Sequence, residues 1–165
     1  MKRILLAAAA VTFSAMLFVP ASAQDLESQL VGVWKTTSFA RKDIASGAVA
    51  AAMGERPTGF AHYSKNGHFV IFVTAQDRKN AERTPTDEER LALFETMFSW
   101  AGKYTVEGGK ITHTVKVGWI PSWVGNTRSY GAEIVGNKLT LTTPVFKNTI
   151  DGKDSVVLTT YERAE

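Results

Sequence analysis
The chain contains no cysteine in its 165 residues. That absence excludes disulfides, thiolate nucleophiles, thiolate metal sites and a lipid-modified N-terminal cysteine. Charge of either sign is nearly balanced, with 19 Lys and Arg against 16 Asp and Glu. The basic residues are scattered, so the chain carries no electrostatic footprint for nucleic acid. Histidine is limited to His62, His68 and His113. No G-x-S-x-G elbow, phosphate loop or dinucleotide fingerprint is found, and long apolar runs are absent after residue 19.

The one long apolar run has the form of an export signal. Lys2-Arg3 precede Ile4 to Val19, then Pro20 leads to Ala21-Ser22-Ala23, the small-x-small pattern of a cleavage site. A membrane anchor is the alternative. Thr12 and Ser14 interrupt the run, which falls short of the roughly 20 apolar residues needed to span a bilayer. The expectation is a signal peptide over residues 1–23 and one domain over residues 24–165, periplasmic or secreted, with no integral membrane span after cleavage. Losing Lys2 and Arg3 leaves 17 basic against 16 acidic residues, so the sequence pI of about 9.2 partly belongs to the leader. Without disulfides, the exported domain must be held by its core alone.

The remaining chain reads as short alternating segments between turn signals, the pattern of an all-β domain. Three hairpins are marked. Gly59 to Tyr63 and His68 to Thr74 flank an Asn-Gly turn, Lys103 to Glu107 and Lys110 to Val117 flank Gly108-Gly109, and Thr127 to Val135 and Lys138 to Thr143 flank Gly136-Asn137. Val31 to Arg41 and Ser155 to Arg163 complete eight strands, enough for a closed antiparallel up-and-down barrel. One α-helix is expected between strands 3 and 4. Thr86 and Glu89 form a capping box, and Leu91, Phe94, Met97, Phe98 and Ala101 recur on one face as far as Gly102. That face is expected to pack on the sheet.

Alternation assigns the faces. Two-residue turns pair Glu107 with Lys110, Val106 with Ile111, Tyr104 with His113, Ile134 with Leu139 and Ala132 with Leu141. Tyr104, Val106, Ile111, His113, Val115 and Val117 then share the inner face, with Arg128 in phase with Tyr130, Ala132 and Ile134. Thr105, Thr112, Thr114, Lys116, Glu133, Lys138 and Thr140 take the outside. Burying His113 and Arg128 is costly unless each finds a partner.

These residues also resemble a pattern. Gly32-Val33-Trp34 is a G-x-W, followed by Ser38-Phe39. Pro57-Thr58-Gly59-Phe60, Tyr63-Ser64 and Gly67 come next, then Gly102-Lys103-Tyr104. His113-Thr114-Val115, Pro121-Ser122-Trp123-Val124-Gly125, Arg128 and Leu139-Thr140-Leu141 complete the series. From about Leu26 to Arg163 the chain is similar to the bacterial lipocalin-like domains of the wider lipocalin (calycin) group. The resemblance implies a barrel with a small-molecule cavity, its base closed by Trp34 with Arg163 stacked on it. The Ala-rich stretch from Lys42 to Arg56 departs from the pattern. Fold alone does not fix function.

The candidate site is Tyr104, His113, Trp119, Trp123, Arg128 and Tyr130. Trp119 and Trp123 sit on a Pro/Gly loop, either as plugs or as an amphipathic gate. His113 is a satisfied core histidine or a working one; Arg128 belongs to a structural ion pair or holds a ligand carboxylate or enolate. Metal is not expected: His62 and His68 are placed on opposite faces of their hairpin, which leaves no set of three ligands. The preferred reading is a protein that binds a small hydrophobic molecule without a cofactor. The alternatives are a cofactor-independent isomerase or cyclase using His113, Tyr104 and Arg128, and a filled barrel serving as a structural or interaction module.

Overall fold
The computed structural model describes residues 23–79, 83–149 and 151–164, so nearly all of the expected signal peptide lies outside the described residues. The strands are β1 (Gly32–Asp43), β2 (Val49–Ala51), β3 (Thr58–Tyr63), β4 (His68–Thr74), β5 (Met97–Glu107), β6 (Lys110–Gly118), β7 (Thr127–Val135), β8 (Lys138–Thr142), β9 (Phe146–Lys147) and β10 (Asp154–Arg163). Helix α1 (Ala23–Leu30) precedes them, and α2 (Asp87–Glu95) joins β4 to β5. Each strand from β3 to β7 pairs antiparallel with the next, β1 pairs with β3, and β10 pairs with both β8 and β1. An eight-stranded barrel closes with no free edge among these strands. The short strands β2 and β9 attach beyond it, to the far ends of β1 and β10.

The glycine turns set the registers. Gly108 and Gly109 take φ of 54° and 75°, and Gly136 takes 57°, backbone that glycine adopts at little cost. Glu107 faces Lys110, Val106 faces Ile111 and Tyr104 faces His113; in the next hairpin Ile134 faces Leu139 and Ala132 faces Leu141. The inner face is a continuous core that includes Trp34, Tyr63, Phe69, Ile71, Trp100, Tyr104, Ile111, Val115, Leu139 and Tyr161. Among the described residues no helix is long and apolar enough to cross a membrane.

Four expectations need correction. The helix follows β4 and precedes β5, so it does not fall between strands 3 and 4, because the short β2 enters the order ahead of it. It also ends at Glu95. Its capping box forms as expected, but Leu91 and Phe94 remain 57% and 44% exposed and no helix residue is buried. Met97 to Gly102 are strand instead, with Phe98 and Trp100 inside, because β4 and β6 offer backbone partners on both sides. Gly102 therefore stops no helix. It lies where β5 and β6 come so close that a Cβ would meet the Thr114 carbonyl oxygen at 2.0 Å. That close approach accompanies a β-bulge, since Ala101 faces Val117 whereas Gly102 faces Val115. The extra residue turns Val117 outward, 67% exposed rather than inside. In the first hairpin Tyr63 faces Phe69 and His62 faces Val70. The loop between Tyr63 and Phe69 is thus odd in length, and His62 and His68 point to the same, outer face.

Helix α1, absent from the sequence reading, seals one end. Leu30 is fully buried, and its carbonyl accepts from Trp34 Nε1 at 2.7 Å. Arg163 lies 4.2 Å over the Trp34 ring and donates to the Val31 carbonyl at 3.1 Å and to that of Gln29. The orphan carbonyls at the end of α1 are thereby satisfied by an indole and a guanidinium.

Candidate functional site
The barrel keeps a cavity of about 260 Å³ toward the opposite end. Its walls are Phe39, Met53, Ile71, Phe98, Trp100, Trp123, Leu141 and Val157, with Thr143, Thr159, Tyr130, Tyr161 and Arg128 as the polar groups. Arg128 is the only charged side chain in this lining. Larger recesses lie elsewhere, one beside α2 and one at the segment that follows β4. The one beside α2, about 440 Å³, is lined by residues that include Gln76, Asp77, Arg78, Lys79 and the acidic first turn of the helix. There Arg78 is committed to the Leu93 carbonyl at 3.0 Å and Thr96 Oγ1 at 3.2 Å, which ties down the helix end. The apolar and aromatic lining of a ligand site belongs to the inner cavity, whereas charged and polar side chains dominate the recess beside α2.

Three of the six residues expected at the site meet there: Trp123, Arg128 and Tyr130. The loop after β6 places the first. Pro121 to Trp123 form one 3-10 turn, and the loop is tied back by Asn126 Nδ2 to the Ser122 carbonyl at 2.7 Å and by Gly125 N to the Val115 carbonyl at 3.0 Å. Trp123 meets Trp100 edge-on, with ring centroids 5.8 Å apart, and its face carries the Arg128 guanidinium at 4.6 Å. Register opposite His113 puts Arg128 on β7, and opposite Ile111 puts Tyr130 two residues on. Burial raises the Tyr130 hydroxyl above its ordinary pKa, an effect partly offset by the neighbouring Arg128, so Tyr130 remains a neutral donor.

The other three lie elsewhere. Trp119 packs on the end of α2, with its ring 4.8 Å from Phe94 and its Nε1 donating to the Phe94 carbonyl at 3.3 Å. Tyr104 faces the sealed end. Its hydroxyl donates to the Ser64 carbonyl at 2.9 Å, and burial together with nearby Glu27 of α1 raises its pKa.

His113 sits behind the cavity wall, fully buried. Phe69 stacks on its ring at 4.0 Å and Tyr130 lies 5.0 Å away. Trp100 Nε1 approaches Nδ1 at 3.5 Å, and Tyr63 Oη lies 3.1 Å from Nε2. An indole N–H only donates, so Nδ1 accepts and Nε2 carries the proton toward Tyr63. Desolvation, with the positive charge of Arg128 added, pushes His113 down to about 3. The imidazole is neutral, with both nitrogens engaged.

Other wall residues escaped the sequence reading. Phe98 and Trp100 were legible in the alternation Phe98, Trp100, Gly102, Tyr104, Val106, which competes with the helical spacing of the same stretch. Thr159 and Tyr161 alternate in the same way on β10. Met53 comes from the stretch that departs from the family pattern. It reaches the cavity because β2 folds back on β1 and the Met53 carbonyl accepts from Gln76 N at 2.9 Å. No spacing rule signals it.

A sequence family described as a lipocalin-like domain matches residues 31–164. Among solved structures, the chain is similar to a lipocalin-like protein from Bacteroides uniformis, 15% identical, covering 78% of this chain and 96% of that chain, with a TM-score of 0.39. No curated protein matches.

Proposed function
The chain belongs to the lipocalin-like domain family, and on that premise we propose that it binds a small, mainly hydrophobic molecule in the barrel cavity. The observation that carries this reading is the cavity, about 260 Å³ of largely apolar and aromatic wall in a barrel otherwise filled by side chains. At about 30 Å³ per water-sized group, it has room for roughly nine of them. That suits a compact ligand rather than a long lipid. A filled barrel with no binding role would not retain such a space, since interiors otherwise pack to crystal-like density.

The acid–base alternative, an isomerase or cyclase working through His113, draws no support from this geometry. A general base must reach the proton it removes; His113 lies behind Trp100 and Tyr130, with its nitrogens engaged. We extend the proposal to export: Lys2-Arg3, the apolar run and Ala21-Ser22-Ala23 support cleavage after Ala23 and release to the periplasm or beyond. Two measurements test these readings. Native mass spectrometry of protein purified from the periplasm should show a bound small molecule, and Trp123→Ala should lose affinity for it while the fold persists. Edman sequencing of the same material should start at Gln24; a retained leader refutes export.

A further inference from the structure
Arg128 is a cation in a largely apolar chamber without an anion. The lining contains no carboxylate, and among the described residues no ion pair reaches Arg128. Its flat face is taken by Trp123. A stacked guanidinium uses only its face, and its N–H donors lie in the plane of the fork, where one side meets the Tyr130 hydroxyl and no carboxylate or carbonyl takes the others among the described residues. Tyr130 lines the same cavity two residues along the strand. A lone guanidinium beside apolar walls is costly to leave uncompensated, and a bidentate carboxylate is the partner its geometry fits best.

We propose that the ligand is amphipathic, with a carboxylate seated on Arg128 and Tyr130 and its apolar body against Phe39, Ile71, Phe98 and Leu141. This rests on the binding role argued above and adds the charge and orientation of the ligand. The contrast with Arg163 supports it. That arginine stacks on a tryptophan in the same way, but its donors end on the carbonyls of Gln29 and Val31, which leaves nothing for a ligand. The size of the cavity limits the apolar body to a short chain or a single ring.

Calorimetric titration at pH 7.5 with matched pairs separates the two levels of inference. The pairs are octanoate with 1-octanol, and 3-phenylpropanoate with 3-phenylpropanol; each keeps one apolar body and changes the head. The acid should bind about tenfold or more tightly than its alcohol, as expected for charge-assisted hydrogen bonds. In Arg128→Gln the preference should fall to within about threefold while alcohol binding is kept, which also reports an intact cavity. Arg128→Lys, which keeps charge but not the fork, should fall between. Equal affinity for acid and alcohol in the wild type overturns the carboxylate proposal and leaves a hydrophobic binder standing. So does a preference that survives in Arg128→Gln. Failure of all four compounds to bind the folded protein removes the binding role, and this proposal with it.

Discussion
The two ends of the barrel carry the same pair of residues to different purposes. At the sealed end Trp34 is fully buried under Arg163, its indole N–H is satisfied by Leu30, and the guanidinium donates to the carbonyls of Gln29, in α1, and Val31, just after it. At the open end Trp123 rides on a 3-10 turn and is only partly buried, and Arg128 stacks on it with no carbonyl or carboxylate accepting its N–H groups among the described residues. The stacking geometry is alike, at 4.2 and 4.6 Å. What separates the ends is unused hydrogen-bonding capacity. A satisfied pair stabilises the fold, whereas an unsatisfied one beside a cavity is available to a ligand.

The largest effect expected from this contrast is on stability. Trp34→Ala should lose about 3–5 kcal/mol in urea unfolding, the range for a fully buried tryptophan; Trp123→Ala should lose about 1 kcal/mol or less and show its cost in ligand titrations. Equal losses at the two positions would erase the distinction.

Next in size is the acid response of the layer between them. His113 is neutral in the folded protein down to about pH 3, whereas in the unfolded chain it takes its proton near 6.5. Between those values the unfolded state binds the extra proton, so stability falls as pH falls through that window and is fully present above it. The contribution is on the order of a few kcal/mol. Unfolding free energies at pH 7 and pH 4 should differ less in His113→Gln than in the wild type; identical acid losses would mean that this imidazole does not control the response.

A smaller effect compares the arginines directly. Arg163→Gln strands carbonyls at the end of α1 and should cost about 1–3 kcal/mol. Arg128→Gln should cost within about 0.5 kcal/mol, measured by the same urea curves. A loss at Arg128 as large as that at Arg163 would make the open-end guanidinium structural.

Much of this arrangement was legible before any coordinates. Gly108-Gly109 and Gly136-Asn137 specify tight turns, the turns specify register, and register delivers His113 to the interior and Arg128 to the cavity wall. The G-x-W at Gly32 to Trp34 carried the base of the barrel, down to the stacking of Arg163. The helix start was equally plain, because a capping box is a contact between Thr86 and Glu89 and nothing more distant. Its end was not. Phe98 and Trp100 satisfy helical and strand spacing alike, and only the presence of β4 and β6 on either side resolves the choice. The same holds for the bulge that turns Val117 outward and for the odd spacing between the paired Tyr63 and Phe69, which puts His62 and His68 on one face.

Local chemistry thus dictated the hairpins, the capping box and the inward direction of the buried imidazole, because each depends on residues within one turn or one ribbon. Tertiary structure alone decided that Tyr104 and Trp119 turn away from the cavity, that Met53 reaches it, and that Arg128 meets Trp123 without an acid at hand. Those outcomes depend on how strands distant in sequence close around a shared space, and alternation along a single ribbon says nothing about what faces it from across the barrel.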